Sequence, residues 1–535
     1  MDLQRKYKSP VIFVLEIRKK AIDYAQVSLP KISPGKFTID IVSEKRFCAV
    51  IPCGDGREKM MNMNGKGNME MRFWTTTKKA VSVLAAIFIL SLGNALCATY
   101  TWSGGGADEN YSTPANWSGG VVPASTDTVV FNGTSAKNCV VNSARTVAAL
   151  TIESGYTGAV SLVANLTVTG VCTLSGGALH VSSATLTLQN SLVFGAGATL
   201  TQGTGTVTFS GATAASVTGT PQFNKLTINK SAGHLTVGEI NVVGLLTLSD
   251  GFIDGGVVNA KGDIKQNTGF DGGTGTILLN GTANQTFTGG GSTSGGQLPN
   301  IVINKSSGTL TLASIIRHTK NWTHTAGTVN AGTSTLFLAG ATQTFSGNPT
   351  FNNLTVGTST ARLAVADSLT IAGLLTLNDG FIDGVVTALG SIKQNTGFDG
   401  GTGTILISGT GNQTLTGSGS ATAGTLPRVV VNKTGGALTL ASIVRLTQNW
   451  THEAGTMVGG TSTLQIAGGA KTLTFNGGEA LFNHVTVAQG TTDLTVVGAL
   501  RVSGNLRFTS LNRLIAGSVI EAHGDVVTTD TTVYG

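Results

Sequence analysis

The sequence predicts an all-β protein: a parallel β-helix (β-solenoid) of tandem repeats with an N-terminal capping module. Three observations lead there. The first is a duplication. Residues 264–278 read IKQNTGFDGGTGTIL and return unchanged at 392–406, while LPNIVINKSSGTLTLASIIRHTKNWTHTAGT (298–328) returns as LPRVVVNKTGGALTLASIVRLTQNWTHEAGT (426–456). A block of 128 residues has been copied, and a chain that copies itself at this scale stacks one structural unit on the next. The second is composition. Glycine takes 74 of 535 positions and charged residues only 11%, yet 40% of the chain is hydrophobic, so there is apolar surface to bury and disorder is disfavoured. The third is alternation. In GTGTVTFSG (203–211), Val207 and Phe209 alternate with threonines, which puts one face of a strand inside and the other in water.

The repeats are located by two markers. Leu226, Ile301, Leu354, Val429 and Val485 occupy equivalent places in short β-branched runs, with a plainer copy at Leu150; their spacings are 76, 75, 53, 75 and 56 residues. Long and short units alternate, and the duplicated block holds one of each. The second marker is the GTGT or GTST strand that recurs at Gly203, Gly273, Gly332, Gly401 and Gly460. Strands of four to six residues parted by Gly, Asn and Ser turns fit coils of roughly 20–25 residues rising about 4.8 Å each, or a rod on the order of 80 Å. A string of Ig-like sandwiches is the rival architecture, but units of about 53 residues are too small for it.

The chain divides into four regions. Residues 1–70 are basic and hold five of the seven methionines. Residues 71–98 combine MRFWTTTKK, the apolar run AVSVLAAIFILSL and the small-residue exit GNALCA, the layout of a secretory signal peptide, too short to span a bilayer comfortably. Because such a signal works at an N-terminus, a start at Met69 or Met71 is expected, with residues 1–70 an over-extended leader. Residues 99–149 form the cap module, in which Trp102 and Trp117 flank a Gly/Asn/Pro-rich loop and close the apolar end of the stack. Residues 150–535 are the solenoid. Its final copy, matching 257–264 at 519–526, stops at Gly535 where the first copy reaches Gly273, which reads as a truncated product lacking further repeats.

The charge balance excludes one class of partner. The first 97 residues carry 16 Lys/Arg and 8 Asp/Glu, leaving 18 basic and 19 acidic residues for the rest. A near-neutral repeat region has no electrostatic footing for nucleic acid. No transmembrane span is expected in the mature chain.

Candidate chemistry is sparse. The glycine clusters lead into strands rather than helices, so they make no phosphate cradle. Asp250 and Asp254 in SDGFIDG, repeated as Asp379 and Asp383 in NDGFIDG, are candidate Ca²⁺ ligands at turns; ordinary Asp-Gly turn chemistry is the preferred reading. Trp322 and Trp450, in the repeated NWTH, are candidate glycan contacts, since an exposed indole stacks on sugar rings. Lys320 and Gln448 share their strand parity, which leaves the face open, and a core role is preferred. Cys139 and Cys172 either pair in an oxidising compartment or stay free; their 33-residue separation does not choose. Charged positions recur in both copies or vanish in one, as Asp263 becomes Ser391. No catalytic residue, cofactor-binding residue or cofactor is assigned.

The WSGG, NWSGG, VP and DTVVF elements of 102–131 resemble the module that opens many secreted bacterial β-solenoid proteins, including autotransporter passengers, and the repeats from Thr99 onward resemble adhesin-like proteins of bacterial surfaces. That resemblance implies export to the cell surface or the medium, a parallel β-helix, and a non-catalytic structural or adhesive role with polysaccharide or cell-surface components as partners. The alternatives are a β-helix polysaccharide lyase or hydrolase, or a glycan-binding module.

Overall fold

The computed structural model describes residues 97–488, 491–509, 511–516 and 519–529, and before them the backbone of five strands between Phe13 and Glu70. The chain divides into two units, Met1–Leu96 and Cys97–Gly535. In the first, the five strands pair antiparallel in one sheet. The rest of the expected leader and nearly all of the expected signal peptide lie outside the described residues.

The second unit is a β-solenoid of about 20 turns, and the molecule as a whole is 59% strand and 1% helix. At about 4.8 Å per turn its axis is about 95 Å long. The alternation seen in the sequence fixes the cross-section. Each turn carries three strands, so the wall has three faces. The first runs through Arg145–Val147, Leu166–Val168, Thr185–Leu188 and Thr206–Ser210. The second runs through Ala149–Ile152, Cys172–Leu174, Leu192–Phe194 and Ala215–Thr218, and the third through Ala159–Leu162, Ala178–His180 and Thr199–Thr201. All these strands stack in parallel register with the turn before and after.

Register shows what fills the lumen. On the first face Leu166, Leu186, Val207, Leu226, Leu246, Ile264 and Phe287 lie one above another, and all are at most 2% exposed. Within the repeats the step between stacked partners ranges from 17 residues (Leu375 to Ile392) to 25 (Gln285 to Leu310), reaching slightly tighter coils than the sequence suggests. Tight turns are what glycine permits: a Cβ at Gly289 or Gly417 would lie 2.1 or 1.9 Å from the carbonyl oxygen of Ile315 or Ile443 in the adjacent coil, a contact no other residue could make.

Trp102 and Trp117 pack edge to face with ring centroids 5.1 Å apart, and both reach Phe131. Their indole N–H groups donate to the carbonyls of Lys137 and Tyr111, so two large rings are enclosed without an orphaned donor. The coil geometry starts earlier than the repeats do: Thr128–Phe131 and Cys139–Val141 already stack beneath Ala149–Ile152 and Ala159–Leu162. Among the described residues no helix is long and apolar enough to cross a membrane.

The duplicated block is not a whole number of turns. Leu150 sits on the second face, Leu226 on the first, Ile301 on the third, Leu354 on the second, Val429 on the first and Val485 on the third. Following the strands, each long unit spans three and two-thirds turns and each short one two and two-thirds. The 128-residue block is therefore six and one-third turns, and every feature of its second copy is carried to the next face.

Candidate functional site: paired latched loops

Per-repeat insertions in solenoids map to loops, often the binding surface, and here the insertion is a pair. Residues 289–297 (GGGSTSGGQ) and 417–425 (GSGSATAGT) leave the wall at equivalent points of the two copies. Each loop is tied down in the same way. Gly289 N–H donates to Ala313 O (2.9 Å) and Gly291 N–H to Ile315 O (3.1 Å); in the second loop Gly417 donates to Ala441 O (2.8 Å) and Gly419 to Ile443 O (3.4 Å). The exits match as well, with Gln297 N–H on Phe270 O and Thr425 N–H on Phe398 O.

At each tip a serine hydroxyl closes the turn. Ser292 Oγ accepts from Ser294 N–H (3.1 Å) and Gly295 N–H (3.0 Å), and Ser420 Oγ from Thr422 N–H (3.2 Å) and Ala423 N–H (2.9 Å). Glycines with positive φ (Gly291 at 73° and Gly296 at 81°, Gly419 at 76° and Gly424 at 72°) permit the bends. Beneath each loop lies an arginine. Arg317 Nη1 donates to Gly296 O (2.9 Å) and Nε to Thr293 O (3.2 Å), and Arg445 Nη1 donates to Gly424 O (3.4 Å). Burial holds both guanidinium groups below their ordinary range. Gln266 and Gln394, wholly inside, donate to the backbone carbonyls of those arginines at 3.0 and 3.1 Å. What remains outward is small and uncharged: Thr293 and Ser294 on one loop, Ala421 and Thr422 on the other.

The residues singled out from the sequence fall elsewhere. Trp322 and Trp450 are 0% exposed, which corrects the glycan-contact reading. Trp322 stacks between Ile301 and Phe345, and Trp450 between Val429 and Leu473; both rings fill the lumen, Trp322 edge-on to Phe351 at 5.2 Å. Strand parity could not be counted from Lys320, because that residue lies in the bend before the strand begins at Trp322.

Two of the four candidate calcium ligands are held by donors of the protein itself. Asp254 Oδ1 accepts from Thr274 N–H and Oγ (2.9 Å each), and its Oδ2 meets His234, which is stacked on Phe252 at 4.3 Å. Asp383 Oδ1 accepts from Thr402 N–H (2.9 Å) and Oγ (2.6 Å), and its Oδ2 from Arg362, which lies 5.0 Å over Phe381. Burial opposes ionisation of both carboxylates, but these donors outweigh it and hold them below the usual range. Asp379 caps the Gly380 N–H (2.8 Å), while Asp250, in register with Gly269, stands near Asp271, whose carboxyl is raised by burial and by that neighbouring charge. No three Asp, Glu, His or Cys side chains among the described residues come together as metal ligands.

Cys139 and Cys172 are free and buried. One stacks on Val160 in the third face and the other between Leu150 and Leu192 in the second, one face and two coils apart, whereas a disulfide needs Cα atoms within about 7 Å.

Sequence reasoning missed the interior lysines. Lys230, Lys305 and Lys433 are at most 2% exposed and follow the marker in three copies. Lys305 Nζ donates to Gly281 O (2.5 Å), Ala283 O (3.0 Å) and Gln285 Oε1 (2.6 Å). Lys433 repeats the set on Gly409 O, Gly411 O and Gln413 Oε1, while Lys230 reaches Ser210 O (2.9 Å). Burial lowers all three ammonium pKa values. The signal was available as Asn-Lys after the marker.

Comparison with known protein families, curated proteins and solved structures finds no match to this chain.

Proposed function

We propose that the chain is a secreted or cell-surface repeat protein with a structural and adhesive role, acting without catalysis, like the adhesin-like solenoids its sequence resembles. The observation that carries the reading is the duplication of a latched, outward, uncharged loop in two copies. A reaction centre is single, and a second copy of its surroundings is of no use to it; a contact surface gains from repetition. Export is supported by the signal-like segment at 71–98. The test is to coat beads with the purified full chain and measure attachment to cells and to immobilised polysaccharides, alongside release of reducing or unsaturated sugar ends. Attachment without turnover is expected. Turnover, or confinement of the native protein to the cell interior, overturns the proposal.

A further inference from the structure

We propose that four corner asparagines, Asn165, Asn284, Asn321 and Asn412, are modification sites that accept N-linked sugar. Each opens an Asn-x-Thr triplet, completed by Thr167, Thr286, Thr323 and Thr414, the pattern that marks an N-glycosylation acceptor. The strand's period of two sets the triplet out. The middle residue turns inward and is at most 2% exposed in all four, while the asparagine is exposed and its threonine lies half-buried on the same outward side. The side-chain amide is held alike at each corner. Its Oδ1 accepts a backbone N–H one coil on: Thr185 on Asn165 (2.9 Å), Thr309 on Asn284 (2.9 Å), Thr344 on Asn321 (3.0 Å) and Ala437 on Asn412 (2.9 Å). Nδ2 is the end of the amide that this cap does not use.

The cap accounts for the asparagine but not for the hydroxyl. Asn138 and Asn505 make the same cap, to Ala159 (3.0 Å) and Asp525 (3.1 Å), and are followed by Val140 and Arg507. Two further triplets fall outside the set: Asn353 Nδ2 donates to Thr335 Oγ (3.4 Å), and Thr451, beside Asn449, is only 9% exposed. The transfer suits the fold. Nδ2 attacks the anomeric carbon of a sugar diphosphate; the C–N bond forms as the C–O bond to the diphosphate breaks, the diphosphate leaves with the electron pair, and the amide gives up one proton. Oδ1 and one N–H remain, so the cap to the next coil is kept. Asn165 and Asn284 precede strands of the first face, Asn412 one of the second and Asn321 one of the third, so sugar stands on every side of the column.

The experiment is peptide mapping by tandem mass spectrometry on the full chain, expressed in and purified from the organism that makes it. Hexose-containing mass should sit on Asn165, Asn284, Asn321 and Asn412, with Asn138 and Asn505 bare. Two variants test the triplet and leave the caps alone, and circular dichroism checks that both fold. Thr286→Val should lose sugar at Asn284 and keep it at the other three. Arg507→Thr turns Asn505-Leu-Arg into the triplet found at Asn165 and should bring sugar to Asn505. The proposal is overturned if the four asparagines are bare in the native chain, if Asn138 and Asn505 are modified to the same extent, if Thr286→Val still carries sugar at Asn284, or if Arg507→Thr leaves Asn505 bare. Coated-bead attachment is a separate readout: bare asparagines on beads that attach remove this assignment and leave the adhesive reading standing, whereas glycosylated chain that fails to attach removes the adhesive reading alone.

Discussion

Replacing Lys305 with methionine tests whether the interior lysines hold the coils together. The substitution keeps the length of the aliphatic stem and removes the ammonium, leaving Gly281 O, Ala283 O and Gln285 Oε1 without their donor. A buried acceptor left unmade costs about 1–3 kcal/mol, and an enclosed ammonium itself carries a desolvation cost of several kcal/mol that methionine relieves. Lys230→Met separates the two effects. Both lysines are enclosed, so the relieved cost is similar, but Lys230 serves a single carbonyl, Ser210 O. The difference between the variants then reports the two additional acceptors, about 3 kcal/mol. A long repeat array need not unfold in one step, so the assay is native-state hydrogen exchange on Thr276–Leu279 and Asn300–Ala313. Lys305→Met should speed exchange there by about a hundredfold more than Lys230→Met does in its own coils, at about 1.4 kcal/mol per decade. Equal effects, or a larger one at Lys230, would refute the assignment.

Burial and register give three further outcomes. Trp322→Ala and Trp450→Ala should each cost about 3–5 kcal/mol locally, read as lost protection in the adjoining coils, with attachment in the bead assay changing only as far as folding does. His318 is enclosed against Trp322 and Phe345, and burial depresses its pKa from 6.5 to about 3. The unfolded chain therefore binds the extra proton between about pH 6.5 and pH 3, so stability falls as pH drops through that window, by up to about 1.4 kcal/mol per unit. His318→Leu, the residue the second copy has at Leu446, should flatten that slope in urea melts at pH 4 and pH 7. Cys139 and Cys172 should resist a thiol reagent in the native chain and both react in denaturant, since burial raises both thiols, that of Cys172 to about 12; a single non-reactive pair after denaturation without reductant would show a disulfide instead.

The wall of the solenoid was legible because a strand's inward positions are chemically plain. Val207 and Phe209 among threonines name their own faces, and repetition confirms them copy by copy. The side chains that misled are those whose direction depends on a bend. Trp322 sits just past one, at 319–321, where alternation cannot be counted through. Lys305 was hidden by the rule that charge faces water, a rule that fails where a coil corner offers three oxygens to one ammonium. The loops were hidden because GGGSTSGGQ has the composition of any turn; their order comes from Arg317 and Gln266, 20 and more residues away in sequence and one or two coils away in space.

The fractional turn in the duplication explains which unit the fold repeats. Ile264 stacks between Leu246 and Phe287 on the first face, and its copy Ile392 stacks between Leu375 and Leu415 on the second. An identical sequence is at home on either face because the lumen asks only for Val, Ile, Leu or Phe at alternate positions, and all three faces ask alike. The interchangeable element is thus the single strand with its bend, about a third of a coil, and not the coil. A copied block that ends after any whole strand leaves every inward residue inward and every backbone ladder in register, and merely turns the later coils to a different side. The lumen is indifferent to that rotation while the outer surface is not, so the same event that lengthened the column also distributed its loops around it.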